Sequence, residues 1–210
     1  MREGFLAWLD YAKERGGSDR PFIKNLRGKR VLDIGCGNGT HLSIDKKNWV
    51  GLDVNKDAVK DAKAKGCNAV LGSATDCPFE DGSFDGIIAY HVIEHLVPSD
   101  AYKMLTEMAR LLKKGGSAYI ASPMPSNVWG TFTHIRPYPP DAIKKILGNS
   151  MNKETESGIA GLEMDYVLYY GPEAKIFGIR IPLFGAMLGL IANITPFLRR
   201  GYLIRLRKSG

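Results

Sequence analysis

An α/β fold, doubly wound with a parallel sheet and helices on both faces, is what this sequence predicts, and three observations predict it. Short apolar runs at 30–34, 49–53, 68–72, 84–90 and 116–122 read as strands. Segments near 39–46, 55–65 and 99–113 read as helices between them, and that alternation builds parallel sheets. Finally, the first apolar run, Val31-Leu32-Asp33-Ile34, stops at Gly35, Gly37 and Gly39, and the second stops at Asp53. Ligands of open α/β sheets bind beyond the carboxyl ends of the strands, where these residues fall.

Taken in order, the elements are as follows. Phe5, Leu6, Leu9 and Ala12 recur at helical spacing and predict an amphipathic helix ending near Gly16-Gly17, laid over the cleft or the sheet. The first strand and its glycine loop come next. Only Thr40 to Asn48 separates that loop from the second strand, so the helix there must be short. Pro140 to Leu147 reads as a further helix, and Ile204 to Arg207 alternates like a final edge strand.

Composition sets the outer limits. With 210 residues and 44% hydrophobic content, the chain can bury one full α/β core, and it holds no repeat or low-complexity tract. One domain over 1–210 is predicted: a helical cap at 1–27, a ligand-binding core at 28–147, and a substrate and edge-strand region at 148–210 with an apolar insertion at 176–198. Cys36, Cys67 and Cys77 are odd in number and lack metal-ligand spacing, which fits reduced thiols in a cytoplasmic protein. Residues 1–8 lack the apolar core and cleavage site of a secretory signal.

The glycine spacing narrows the ligand. A dinucleotide fingerprint needs G-x-G-x-x-G to seat a pyrophosphate, and a Walker loop needs Gly-Lys-Ser/Thr; neither pattern is present. Alternating Gly35, Gly37 and Gly39, with Asp33 two positions earlier, favour a nucleoside without phosphates. Asp53, closing the second strand, suits a ribose, whose neighbouring hydroxyls can both donate to one carboxylate.

Four segments then match one family in order. They are the D-x-G-x-G-x-G loop with Asp53, the stretch Gly72 to Phe79, the run Gly82 to Leu96, and Leu111 to Gly116 continuing into Ser117 to Ser122. Over roughly residues 28 to 147 the chain resembles the class I S-adenosylmethionine (SAM) dependent methyltransferases, in the branch that includes quinone, sterol and glycan methylases. The resemblance implies a Rossmann-like, mostly parallel seven-stranded sheet, with SAM as cofactor and S-adenosylhomocysteine as product. It also implies that Asp33, Gly35, Cys36, Gly37 and Gly39 hold the methionine end, Asp53 the ribose, and Val54 and Ala74 the adenine. Tyr90 would form the wall beside the sulfonium. Ser73 stands where many relatives carry an acid for the adenine amino group, leaving Asp76 or the Ala74 backbone as substitutes.

Methyl transfer from a sulfonium needs alignment and exclusion of water, and no metal is expected. If the acceptor is a hydroxyl, a histidine suits its deprotonation. His91 follows the fourth strand directly and is one candidate; His134 and Arg136, in a loop resembling one over the acceptor pocket of related methylases, are the others. His95 is expected to make a buried hydrogen bond, and Glu94 to be an exposed or bridging acid. Arg136 has two readings, pairing with an acidic substrate group or bracing its own loop. Pro123, Pro125, Trp129, Phe132 and Tyr138 give the region the character of a lid, a pocket wall or a core cap.

The last third bears on partners. Ile181 to Leu198 carries no charge, but its prolines and glycines count against a simple membrane span. The readings left are a monotopic or substrate-tunnel helix and a core or homodimer-packing insertion. Between Gly171 and Gly210 seven Lys or Arg face only Glu173, so this segment supplies +6 of the net +7. That fits peripheral contact of 176–200 with an anionic cytoplasmic membrane face, or plain solubility charge, and argues against a nucleic-acid partner. The sequence thus points to methylation of a hydroxyl or amine on a small-molecule, lipid, quinone or glycan-related acceptor. The alternatives are a nucleic-acid or protein methyltransferase and a catalytically silent SAM-binding partner subunit.

Overall fold

The computed structural model describes residues 25–147, 158–170, 175–176, 179–180, 191, 195–196 and 199–210. A seven-stranded sheet runs in the order β3-β2-β1-β4-β5-β9-β6. Its strands are β1 (Val31–Ile34), β2 (Trp49–Asp53), β3 (Ala69–Leu71), β4 (Phe84–Tyr90), β5 (Leu112–Pro123), β6 (Leu162–Tyr170) and β9 (Gly201–Lys208). The first five pair in parallel, whereas β9 lies antiparallel to both β5 and β6. A separate ribbon joins β7 (Lys175–Ile176) to β8 (Ile179–Arg180). The doubly wound, mostly parallel sheet follows the expectation.

Side-chain alternation feeds two cores. Leu32, Ile87, Ala89, Ala118 and Ile120 pack on one face of the sheet, while Val31, Ile88, Tyr119 and Ala121 pack on the other. Helix α2 (Pro98–Leu111) lays Ala101, Met104, Leu105 and Met108 on the first face, at the spacing of one helical stripe. Helix α1 (Lys56–Ala64) lays Val59 and Ala62 on the second. Two short helices follow, α3 (Pro125–Val128) and α4 (Pro140–Ile146), the latter where the sequence predicts it.

Two expectations change. The helix predicted near 39–46 is a single 3-10 turn, Leu42–Ile44. The chain must reverse at once to reach β2, and Asp45 ties the reversal by accepting from Asn48 Nδ2 at 2.9 Å and from Gly28 N at 2.8 Å. The final strand is longer than 204–207 and is not an edge: it inserts between β5 and β6, leaving β6 outermost. That position explains why Tyr202, Ile204 and Leu206 are fully buried, as an edge strand would not require. Among the described residues no helix is long and apolar enough to cross a membrane. The N-terminal helix and nearly all of the 181–198 stretch lie outside the described residues.

Candidate cofactor and active site

The strand ends carry the predicted loop in an unusual backbone. Gly35, Gly37 and Gly39 have φ of 70°, 51° and 80°, a region that residues with a Cβ rarely enter. Leu52 O accepts from both Gly35 N at 2.8 Å and Cys36 N at 3.1 Å, which folds the loop over the end of β2. A Cβ on Gly35 would sit 2.4 Å from Val92 Cγ2, whereas one on Gly37 would meet nothing within 4 Å. Among the described residues the middle of the loop therefore borders open space.

Asp53 is set to receive a ligand there. Its Oδ2 accepts from Gly37 N and its Oδ1 from Asn55 N, each at 2.8 Å. Two backbone donors orient the carboxylate while each oxygen keeps a lone pair for a hydroxyl. Asn55 in turn caps α1, its Oδ1 accepting from Asp57 N at 2.9 Å and Ala58 N at 3.2 Å. Beside it Val54 is 72% exposed, an apolar ledge at the rim of a cleft. The residues present thus fit an adenosine.

The turn expected to border the adenine is internally bonded. Ser73 Oγ pairs with Thr75 Oγ1 at 2.8 Å and accepts from Thr75 N at 3.2 Å, so it serves its own turn. Asp76 is exposed, and Ala74 is half-buried in the same turn. Cys36 is buried, its Sγ 2.4 Å from where a Gly51 Cβ would lie. Burial and the nearby carboxylates of Asp33 and Asp53 push its thiol up to about 12, so it packs beneath the loop as an inert group.

One histidine that the sequence reading passed over enters the site. His41 Nδ1 lies 3.2 Å from Asp33 Oδ2, both groups are buried, and the imidazole packs 4.9 Å from the Tyr90 ring. Its Nε2 is buried with no hydrogen-bond partner among the described residues. The local signal was only a histidine one step beyond the glycine loop. Its role follows from Tyr90, which is brought alongside by a strand nearly fifty residues later.

His91 and Glu94 form a second pair. His91 is the one non-glycine residue with positive φ, 56°, among the described residues, and its Nδ1 lies 2.9 Å from Glu94 Oε1. Backbone strain at a strand end is characteristic of functional positions. Glu94 is fully buried and bridging, which removes the exposed alternative; its Oε2 accepts from Ser122 Oγ at 3.1 Å. Burial pushes its carboxyl up, but hydrogen bonds from His91, its own backbone and Ser122 outweigh that and hold it below the ordinary carboxylate value.

The loop that follows hangs from this acid. Ile135 N donates to Glu94 O at 2.8 Å, and Tyr138 Oη to Leu96 O at 2.8 Å. His134 Nδ1 is 2.7 Å from Val128 O, and its ring meets that of His95 edge to face at 4.7 Å. His95 is half-buried rather than buried, with Nδ1 3.0 Å from Thr133 O. Arg136 is exposed and its guanidinium sits 5.1 Å from the Tyr138 ring centre. Trp129, Phe132 and Ile135 leave large apolar surfaces exposed on the same loop.

This fold and crevice define a class of protein, the nucleoside-binding α/β enzymes whose ligand carries no phosphate. Residues 32–120 match the family model described as a methyltransferase domain. A tRNA (carboxymethyluridine(34)-5-O)-methyltransferase of Xenopus tropicalis is 36% identical over 102 residues, 47% of this chain and 16% of that protein. A fatty-acid O-methyltransferase of Mycolicibacterium smegmatis is also 36% identical over 102 residues, 44% of this chain and 36% of that protein. The crystal structure of a SAM-dependent methyltransferase from Archaeoglobus fulgidus superposes with a TM-score of 0.64 at 23% identity, covering 98% of this chain and 94% of that one. Residues 32–120 therefore form a SAM-dependent methyltransferase domain, and the chain has the fold of that class. It spans well under half of the length of these two relatives, which differ in the acceptors they are named for.

Proposed function

We propose that the protein transfers the methyl group of SAM to a hydroxyl or amine of a small-molecule, lipid, quinone or glycan-related acceptor. The observation that carries this reading is the His91–Glu94 pair, held on strained backbone at the end of β4, two strands from Asp53. When bound, SAM supplies an electrophilic methyl and leaves as S-adenosylhomocysteine. Asp53 would hold the ribose, the Gly35 to Gly39 loop and Asp33 with His41 the methionine end, and Val54 and the Ala74 backbone the adenine. Tyr90 closes the wall beside the sulfonium.

His91 is the proposed general base. Its Nδ1–H donates to the ionised Glu94, which leaves Nε2 to accept the acceptor's proton as the new bond forms. Glu94, fixed by Ser122, then stabilises the imidazolium. Trp129, Phe132 and Ile135 offer an apolar wall suited to a hydrophobic acceptor, and Arg136 a charge at its rim. A second reading, an RNA acceptor, draws on the tRNA-methylating relative and on base stacking against Trp129 and Phe132 beside Arg136.

Two experiments test the reading. Asp53→Ala should abolish the thermal stabilisation produced by SAM; an unchanged shift removes the ribose assignment. Incubation with methyl-labelled SAM and cell extract, followed by sorting of label into lipid, glycan, nucleic-acid and protein fractions, should place it in the lipid or small-molecule fraction. Label confined to RNA selects the second reading, and no labelled acceptor selects the silent-partner alternative. With the acceptor in hand, His91→Gln should lower kcat by about 10²-fold or more while leaving SAM affinity intact.

A further inference from the structure

Beside the His91–Glu94 pair lies a cluster in which two further histidines, His95 and His134, have no part in the proposed proton transfer. Glu94, His95 and His134 each place a ligating atom within 4.8 Å of the others. The three come from two segments, the 3-10 turn after β4 and the loop 131–138, which the fold brings face to face.

The hydrogen bonds around the rings bear on what this cluster can bind. His95 Nδ1 faces Thr133 O and His134 Nδ1 faces Val128 O. A carbonyl can only accept, so both rings carry their proton on Nδ1, and in the neutral imidazole Nε2 is then a lone-pair donor. Metal-bound histidines are held in this way, one nitrogen fixed by a carbonyl and the other on the ion. Glu94 supplies the carboxylate: it is buried, and it uses two of its four lone-pair sites on His91 and Ser122.

We infer that Glu94, His95 and His134 form a binding site for one divalent cation of borderline softness, such as Zn²⁺, which fastens the 131–138 loop to the end of β4. Two imidazoles and a carboxylate suit such an ion better than Mg²⁺ or Ca²⁺, which prefer oxygen ligands. Tetrahedral bonds of about 2.0–2.1 Å put ligand atoms roughly 3.3 Å apart, so the cluster closes by about 1.5 Å on binding. Three protein ligands leave a fourth position for water or an acceptor oxygen. The site does not depend on which acceptor is methylated.

Cobalt(II) serves as a spectroscopic probe on the untagged full chain stripped with a chelator. One equivalent should bind saturably with visible d–d absorption and no thiolate charge-transfer band, and Zn²⁺ should displace it. His95→Gln and His134→Gln should each weaken binding by about tenfold or more. SAM-induced thermal stabilisation, measured in parallel, should persist in both variants and reports that they remain folded. Zn²⁺ should also slow proteolysis at the 131–138 loop in the parent chain and not in the double variant. Absence of saturable cobalt binding, equal affinity in folded variants, or a thiolate band would each overturn the proposal.

Discussion

Arg110 and Glu107 clamp the adenine-side loop from the end of α2. The guanidinium donates to Cys77 O at 3.0 Å, Phe79 O at 2.8 Å and Asp81 at 2.7 Å, and to both Glu107 oxygens. Glu107 closes the circuit by accepting from Cys77 N at 2.7 Å. The Arg110 hydrogen bond, followed against burial by the Cys77 amide, holds the Glu107 carboxyl below its ordinary value of 4.5. Below that pH the unfolded chain binds a proton that the folded chain still resists, so stability falls as pH drops through the lowered folded value. Glu107→Gln should cost about 1–2 kcal/mol at neutral pH. The variant should then lose less stability than the parent between about pH 5 and pH 3, in urea titrations that a parallel pair of curves would contradict. Gly35→Ala meets both a positive φ and Val92, so it should cost about 1–3 kcal/mol and weaken the SAM-induced shift. Residues of this second kind were legible in the sequence, because a backbone conformation that favours glycine, or a carboxylate closing a strand, is tied to residue type. His41, Glu94 and Ser122 were not, since each acquires its meaning from a side chain that another element delivers.

At the scale of elements, the parallel half was readable, and of the antiparallel half only part of β9 was. β1, β2 and β4 are apolar but for one aspartate each, because both faces of this part of the sheet are covered, and such runs are easily seen. β6 reads LEMDYVLYY: Glu163 and Asp165 break its first half and most of its side chains are half-buried, so only the run at 166–170 announces it. β9 has a clear alternation, but alternation alone does not distinguish an outer strand from one placed between two others. Its ladder to β5 and β6 makes it a keystone of that half of the sheet. Ile204→Asp would bury a carboxylate at a fully buried position and should unfold the protein or cost more than about 3 kcal/mol. Arg207→Ala removes a half-exposed partner of Asp165, at 3.2 Å, and should cost less than about 1 kcal/mol. Urea midpoints of the two variants check the contrast; similar costs would show that β9 is peripheral to the fold.

For the whole molecule, the question is what the net charge of +7 is for. The tail that supplies most of it is partly committed to holding the sheet. Arg205 and Arg207 share Asp165, Lys208 donates to Leu112 O, and Arg199 stacks 3.7 Å from the Tyr169 ring centre. These contacts place the charge without cancelling it, since Asp165 is the acid that answers two arginines. β9 thus carries Arg205, Arg207 and Lys208 against Glu163 and Asp165 on β6, an excess of positive charge whose reach is set by ionic strength. Peripheral contact with an anionic membrane face would follow from that excess together with the apolar 176–198 stretch, and each contribution has its own signature. Binding to vesicles rich in phosphatidylserine should be measurable at low salt. It should weaken severalfold as the Debye length shrinks from about 10 Å at 0.1 M to about 3 Å at 1 M. A residue insensitive to salt would report apolar insertion, and replacing Phe184 and Leu188 by Ser should remove it. Vesicles without anionic lipid supply the control. If the intact chain ignores anionic vesicles even at low salt, the charge serves solubility and strand placement, and the acceptor reaches the His91 site from solution.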